Sequence, residues 1–182
     1  RLPNNNCAKS QLQKVYTGIN SSFRALRMEE LSVKGGSMCK NIICEENIVL
    51  QAEFDNKWDA IRACGEILVK QGYVAEEYID DMLERERVAT VHIGNHLAIP
   101  HGIANSECHI YHSGISFVQI PNGVSFGEDT AYLMIGIAGK DGTHIDILSN
   151  IALACSELET IEILRHTDDK NLIINTFSNM DV

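Results

Sequence analysis

Trp58, Ile61, Cys64, Gly65 and Leu68 recur three and four positions apart, the spacing that collects side chains on one face of a helix. Asp55 offers an N-cap for this segment, and Gly72 follows Gln71 as a stop. Val74, Ile79, Met82 and Leu83 predict a second amphipathic helix over about 75–87. The pattern then changes. Apolar runs at Leu97–Ile99, Gly114–Ile120 and Ala131–Ala138 read as strands, separated by the turn-prone stretches Pro121-Asn122-Gly123 and Gly127-Glu128-Asp129. Asp141 or Thr143 opens a further helix carrying Ile145, Leu148, Ile151, Ala152 and Cys155, and a last helix over about 169–178 buries Leu172, Ile173, Thr176 and Phe177. Strands interleaved with helices in this way predict an α/β layer fold.

With 182 residues and 45% hydrophobic positions, the chain can bury one substantial core. The net charge of −10 argues against a nucleic-acid surface, which needs clustered Lys and Arg. Charge is distributed unevenly. Residues 1–37 carry Lys9, Lys14, Arg24, Arg27 and Lys34 against Glu29 and Glu30, and end in Gly35-Gly36-Ser37 before Met38. This stretch reads as a leader or a linker, with a domain expected over 38–182. The cysteines form no CxxC pair, and Cys64 and Cys155 fall inside apolar helical patterns, where a thiol serves as a small hydrophobe. A reducing, cytoplasmic setting is expected. No apolar run approaches the length of a membrane span.

The most specific candidate for chemistry is His101. An apolar strand stops at Pro100, which fixes its own φ, and Gly102 removes the side chain that would crowd an approaching group. A rigidly mounted, accessible imidazole suits nucleophilic chemistry; a histidine at a strand end is the plainer alternative. Lys140-Asp141-Gly142-Thr143-His144 follows a strand and opens a helix, so His144 is expected in the first helical turn, where free N–H groups favour an anion. Arg85, near the end of the second helix, offers a planar fork for phosphate oxygens, with a surface ion pair to Asp81 or Glu84 as the alternative. Together the three describe a phosphoryl-acceptor site. His92 and His96 have the spacing of two metal ligands on a helix, but Gly94 and β-leaning neighbours oppose a helix there. The run His109-Ile110-Tyr111-His112 reads as a solvated loop. There is no Walker A, GxGxxG or GxSxG motif.

Several blocks occur in the order and spacing of a known family: Met82-Leu83-Glu84-Arg85-Glu86, Ile93-Gly94-Asn95-His96-Leu97-Ala98-Ile99-Pro100-His101-Gly102, Val118-Gln119-Ile120-Pro121-Asn122-Gly123-Val124-Ser125-Phe126-Gly127, Ile135-Gly136-Ile137-Ala138 and His144-Ile145-Asp146-Ile147-Leu148. Over about 47–179 the chain resembles the enzyme IIA component of the mannitol/fructose class of the bacterial phosphoenolpyruvate-dependent sugar phosphotransferase system. Pro-His-Gly and Asn-Gly-Val-x-Phe-Gly look mannitol-type. The resemblance implies one domain with a mixed sheet flanked by helices on both faces. It implies that His101 takes a phosphoryl group from the phosphocarrier HPr and passes it to a cysteine of the IIB domain of a hexitol permease. His144 corresponds to the second active-site histidine and Arg85 to the active-site arginine. No cofactor or metal is implied, and the membrane is met only through the permease. A regulatory domain whose phosphorylation state controls a partner, such as a transcription activator, is the alternative. Val88-Ala89-Thr90-Val91-His92 departs from a run that is usually richer in hydroxyls, which leaves the local contacts there open.

Overall fold

The protein is described by a computed structural model over residues 41–178. The basic stretch 1–37, its junction at Met38, Cys7 and Cys39 lie outside the described residues. Five strands, β1 (Ile48–Val49), β2 (His92–Gly94), β3 (Leu97–Ala98), β4 (Gly114–Phe126) and β5 (Asp129–Ala138), form one sheet in the order β1-β4-β5-β3-β2. It is mixed. The pairs β1–β4 and β3–β5 are parallel, whereas β4–β5 and β2–β3 are antiparallel. The helices are α1 (Lys57–Lys70), α2 (Tyr78–Val88), α3 (His144–Ala154), α4 (Leu158–His166) and α5 (Lys170–Phe177).

Alternation along the two long strands builds two cores. Val118, Ile120, Met134 and Ala138 face α1 and α2, meeting Ile61, Cys64, Leu68, Ile79 and Met82. Ile115, Phe117, Leu133, Ile135 and Ile137 face α3 to α5, meeting Ile147, Ile151, Leu164, Ile173 and Phe177. Helices therefore cover both faces of the sheet, and its central strands read as near-continuous apolar runs.

Local details differ from the sequence reading. Asn56, not Asp55, caps α1, accepting from the amides of Trp58 and Asp59. Trp58 then lies at the rim rather than in the core, with the Lys57 ammonium 4.9 Å from its ring centroid. Pro121-Asn122-Gly123 is no turn. It lies inside β4 where the pairing shifts register between Gln119 and Val124, a bulge in which the missing Pro121 N–H breaks no ladder bond. The chain reverses at Gly127-Glu128 instead. In α3 the buried stripe is Ile147 and Ile151, leaving Ile145 exposed, and in α5 it is Ile173 and Phe177, leaving Leu172 exposed. Helix α4 was not anticipated. Its buried Ile161 and Leu164 are too few for a clear periodic signal.

Candidate functional site

The segment carrying His101 runs alongside β5. Leu97 pairs with Leu133 and Ala98 with Met134, and in the same parallel register His101 bridges Ile137. The strand cannot continue as a regular ladder, because Pro100 has no N–H. Its carbonyl still accepts from the Ile137 amide at 2.8 Å. Beyond His101, the Gly102 amide donates to the Tyr78 hydroxyl at 2.9 Å, which in turn donates to the Ile137 carbonyl at 2.7 Å. Gly102 is required by sterics. A Cβ there would lie 2.3 Å from Ser106 Oγ and 2.5 Å from Tyr78 Cε2.

The imidazole of His101 is half-buried, and its Nδ1 lies 2.7 Å from the Ile99 carbonyl oxygen. A carbonyl can only accept, so Nδ1 carries the proton and Nε2 presents a lone pair. Burial holds the ring's pKa below its ordinary value of 6.5; the Ile99 carbonyl opposes this, while the charges of Arg85 and His144 push it further down. Both side chains thus bear on the same imidazole. Of the residues singled out by sequence, Arg85 and His144 therefore both lie within electrostatic reach of His101.

Arg85 is delivered by α2. Tyr78, Asp81 and Arg85 are spaced three and four apart along that helix and share a face. Neither acidic neighbour captures the guanidinium: Glu84 pairs with Arg87, and Asp81 meets His109 Nδ1 at 2.6 Å. Arg85 Nη1 instead donates to the Ala89 carbonyl at 2.7 Å. The next residue, Glu86, is buried and accepts from Lys57 Nζ at 2.5 Å and from the Val91 amide at 2.6 Å. Within the run that departs from the family pattern, Ala89 and Val91 thus make these contacts through main-chain atoms and not through their side chains.

His144 opens α3 and is exposed. The turn Lys140–Gly142 leads into it; Thr143 Oγ1 donates to the Lys140 carbonyl, and Ser113 Oγ accepts from the Lys140 amide. Gly139 lets the helix start close in, since a Cβ there would lie 2.3 Å from the His144 Cα.

Other histidines play different parts. His109 is not solvated: it is half-buried at the end of a short 3-10 turn, Ser106–His109, and tied to Asp81. His92 opens β2 and His96 lies in the tight turn between β2 and β3, with Asn95 and His96 at φ 47° and 60°, so they share no helix face. Among the described residues no group of three or more His, Cys, Asp or Glu is placed to hold a metal ion. Nor, among them, is any helix long and apolar enough to cross a membrane. Tyr78, Asp81 and Glu86 were missed as site-forming residues. The i, i+3, i+7 spacing of Tyr78, Asp81 and Arg85 was the available signal.

Residues 41–180 match the family described as "Phosphoenolpyruvate-dependent sugar phosphotransferase system, EIIA 2". The mannitol-specific phosphotransferase enzyme IIA component of Geobacillus stearothermophilus is 50% identical over 128 residues, covering 70% of this chain and 88% of that protein. The crystal structure of IIA mannitol from Escherichia coli superposes with a TM-score of 0.70 at 36% identity, covering 74% of this chain and 98% of that one. A chain from the complex of enzyme IIAMtl with phosphorylated enzyme IIBMtl, also from Escherichia coli, gives a TM-score of 0.71 at 36% identity, covering 74% and 96%. The chain shares with these proteins a mixed sheet enclosed between helical layers, and it belongs to the EIIA type-2 family of the phosphoenolpyruvate-dependent sugar phosphotransferase system.

Proposed function

We propose that this chain is the cytoplasmic phosphocarrier of a mannitol-type phosphotransferase system, with residues 38–182 as the working unit. It accepts a phosphoryl group from phospho-HPr on His101 Nε2 and passes it to the IIB cysteine of a hexitol permease. The observation that carries this reading is the state of the His101 ring. It is neutral near pH 7, its Nδ1 proton is committed to the Ile99 carbonyl, and its Nε2 lone pair is left for attack. The solved complex of a related IIA with phosphorylated IIB supports the direction of onward transfer.

In the first step the donor's P–N bond breaks as the bond from His101 Nε2 to phosphorus forms, and the donor nitrogen keeps the electron pair. The Nδ1 proton stays in place. The phosphorylated ring then carries a positive charge facing the Ile99 carbonyl, which makes it a competent leaving group. In the second step the IIB thiolate attacks phosphorus and the pair returns to Nε2. Arg85 and His144 act by charge and hydrogen bonding on the transferring oxygens, where fixed donors lower the barrier without reorganising. Ile145, 61% exposed beside His144, supplies an apolar contact for the docking partner.

Incubation with phosphoenolpyruvate, enzyme I and HPr should place an acid-labile, base-stable phosphate on His101. His101→Ala should take none. Equal labelling of this variant and the wild type would overturn the assignment.

A further inference from the structure

We propose that Tyr78 is a positioning residue for phosphoryl transfer: its hydroxyl, set between the Gly102 amide and the Ile137 carbonyl, fixes the peptide on which the His101 imidazole is mounted. The inference rests on the reading of His101 as the acceptor. It assigns Tyr78 no contact with the phosphoryl group.

In a parallel ladder, a bridged residue is held on both sides by the same partner. The partner's amide donates to the carbonyl before it, and the partner's carbonyl accepts from the amide after it. Only the first of these bonds is direct at His101, from Ile137 N–H to the Pro100 carbonyl at 2.8 Å. In the second the Tyr78 oxygen takes the place of a direct rung, 2.9 Å from the Gly102 nitrogen and 2.7 Å from the Ile137 oxygen. The inserted oxygen ties the Gly102 amide to the Ile137 carbonyl, so the backbone is fixed on both sides of the residue that must meet a partner. A free loop would present the ring without fixing it. An unbroken strand would fix it against the sheet.

Only a group that donates and accepts at once can fill this gap, and Tyr78 is suited to it. Its side chain is buried, and burial pushes the hydroxyl's pKa up to about 12, so it remains a neutral donor at any working pH. Phenylalanine would keep the ring and lose both bonds. The absent side chain of Gly102 is the complement, since a Cβ there would collide with Tyr78 Cε2. Tyr78 also shares its helix face with Arg85. One rigid element therefore sets the backbone beneath His101 and brings in the guanidinium whose charge acts on its ring.

The test is Tyr78→Phe in the full chain, followed by rapid-quench transfer from purified phospho-HPr, NMR of the ¹⁵N-labelled His101 ring, and thermal unfolding. Misplacement of a reacting group by about 1 Å can cost on the order of 10²-fold. A folded variant should show a limiting transfer rate lower by about 10- to 100-fold, with the half-saturating HPr concentration unchanged. Its His101 ring signals should move toward a mixture of tautomers, which a purely structural loss would not produce. A limiting rate within about twofold of wild type, with unmoved ring signals, would overturn the proposal. If Tyr78→Phe does not fold, difluorotyrosine at position 78 keeps the ring and hydroxyl but weakens the acceptor. The Gly102 amide and His101 ring signals should then shift together; a shift at Gly102 alone, with an unchanged rate, overturns the proposal equally. Absence of label on His101 in the wild type would instead sink the acceptor reading, and this inference with it.

Discussion

Glu86→Ala should be the most destabilising single change near the site, because Glu86 serves two partners from a buried position. Its side chain is 1% exposed and that of Lys57 is 26% exposed. Breaking a buried pair by removing one member costs about 3–5 kcal/mol, chiefly for the charge left behind. Lys57 can recover some water through its exposed quarter, which places that part at the low end. The Val91 amide cannot: Val91 is buried, and an orphaned donor costs about 1–3 kcal/mol. The two effects overlap, so the expected loss is about 3–4 kcal/mol, out of roughly 5–15 kcal/mol for an ordinary domain.

With a urea m-value of about 1.5 kcal/mol/M, that loss lowers the unfolding midpoint by about 2 M. Trp58 is the chain's single tryptophan and has the Lys57 ammonium over its ring, so its fluorescence reports on this corner directly while circular dichroism follows the whole fold. Glu86→Gln keeps an acceptor for Val91 and should lose about half as much. A double variant, Lys57→Met with Glu86→Leu, should be less destabilised than Glu86→Ala, since it removes both charges together. A loss under 1 kcal/mol for Glu86→Ala, or a double-variant loss equal to the sum of those of Lys57→Met and Glu86→Leu alone, would show that the pair does not hold the end of α2. Transfer should slow in Glu86→Ala well below its unfolding midpoint, because Arg85 is anchored on Ala89 in the same turn.

Arg85→Ala and His144→Ala should each slow transfer by on the order of 10²–10³-fold while leaving HPr binding nearly intact, measured by rapid quench beside titration; wild-type rates in both would mean that other residues meet the phosphoryl charge. The His101 ring should titrate below 6.5, so acceptor activity should persist through pH 6.5 and fail only in more acidic buffer; an NMR midpoint at or above 6.5 would contradict the burial argument. The unfolded chain protonates this ring first, so the stability His101 contributes is full above about pH 6.5 and is lost as pH falls towards the folded-state value. Gly102→Ala should cost about 1–3 kcal/mol by overpacking and should slow transfer as well, since the new methyl group displaces either Ser106 or Tyr78; unchanged kinetics would show that the loop absorbs the methyl without moving His101.

The α/β layering and the covering of both sheet faces were legible because long amphipathic patterns survive packing. The finer placements were not, for a common reason. Periodicity ranks positions by hydrophobicity alone, and it put Trp58 in the core although Asn56 starts α1 so that Trp58 meets Lys57 and Arg87 at the rim. It made a turn of Pro121-Asn122-Gly123, because the same residue types serve a bulge, and only the pairing with β5 distinguishes the two. It gave Ile145 to the core of α3, where the helix phase set at Gly139 and Thr143 turns that residue outward.

The site divides along the same line. His101, Arg85 and His144 could be proposed from the sequence because each carries chemistry in its own side chain and sits beside a local signal: a proline, a helix end, a glycine-bearing turn. Tyr78 and Glu86 carry none of these signals. Their work is done on main-chain atoms distant in sequence or hidden by a turn, namely the Gly102 amide, the Ile137 carbonyl and the Val91 amide. Main-chain atoms are the same at every position, so spacing along α2 could group Tyr78 with Arg85 but could not name the backbone partners that Tyr78 and Glu86 hold. A neutral imidazole with a single free nitrogen is thus the product of two kinds of information: residue type, which sequence displays, and backbone hydrogen bonding, which only the assembled sheet and helix α2 define.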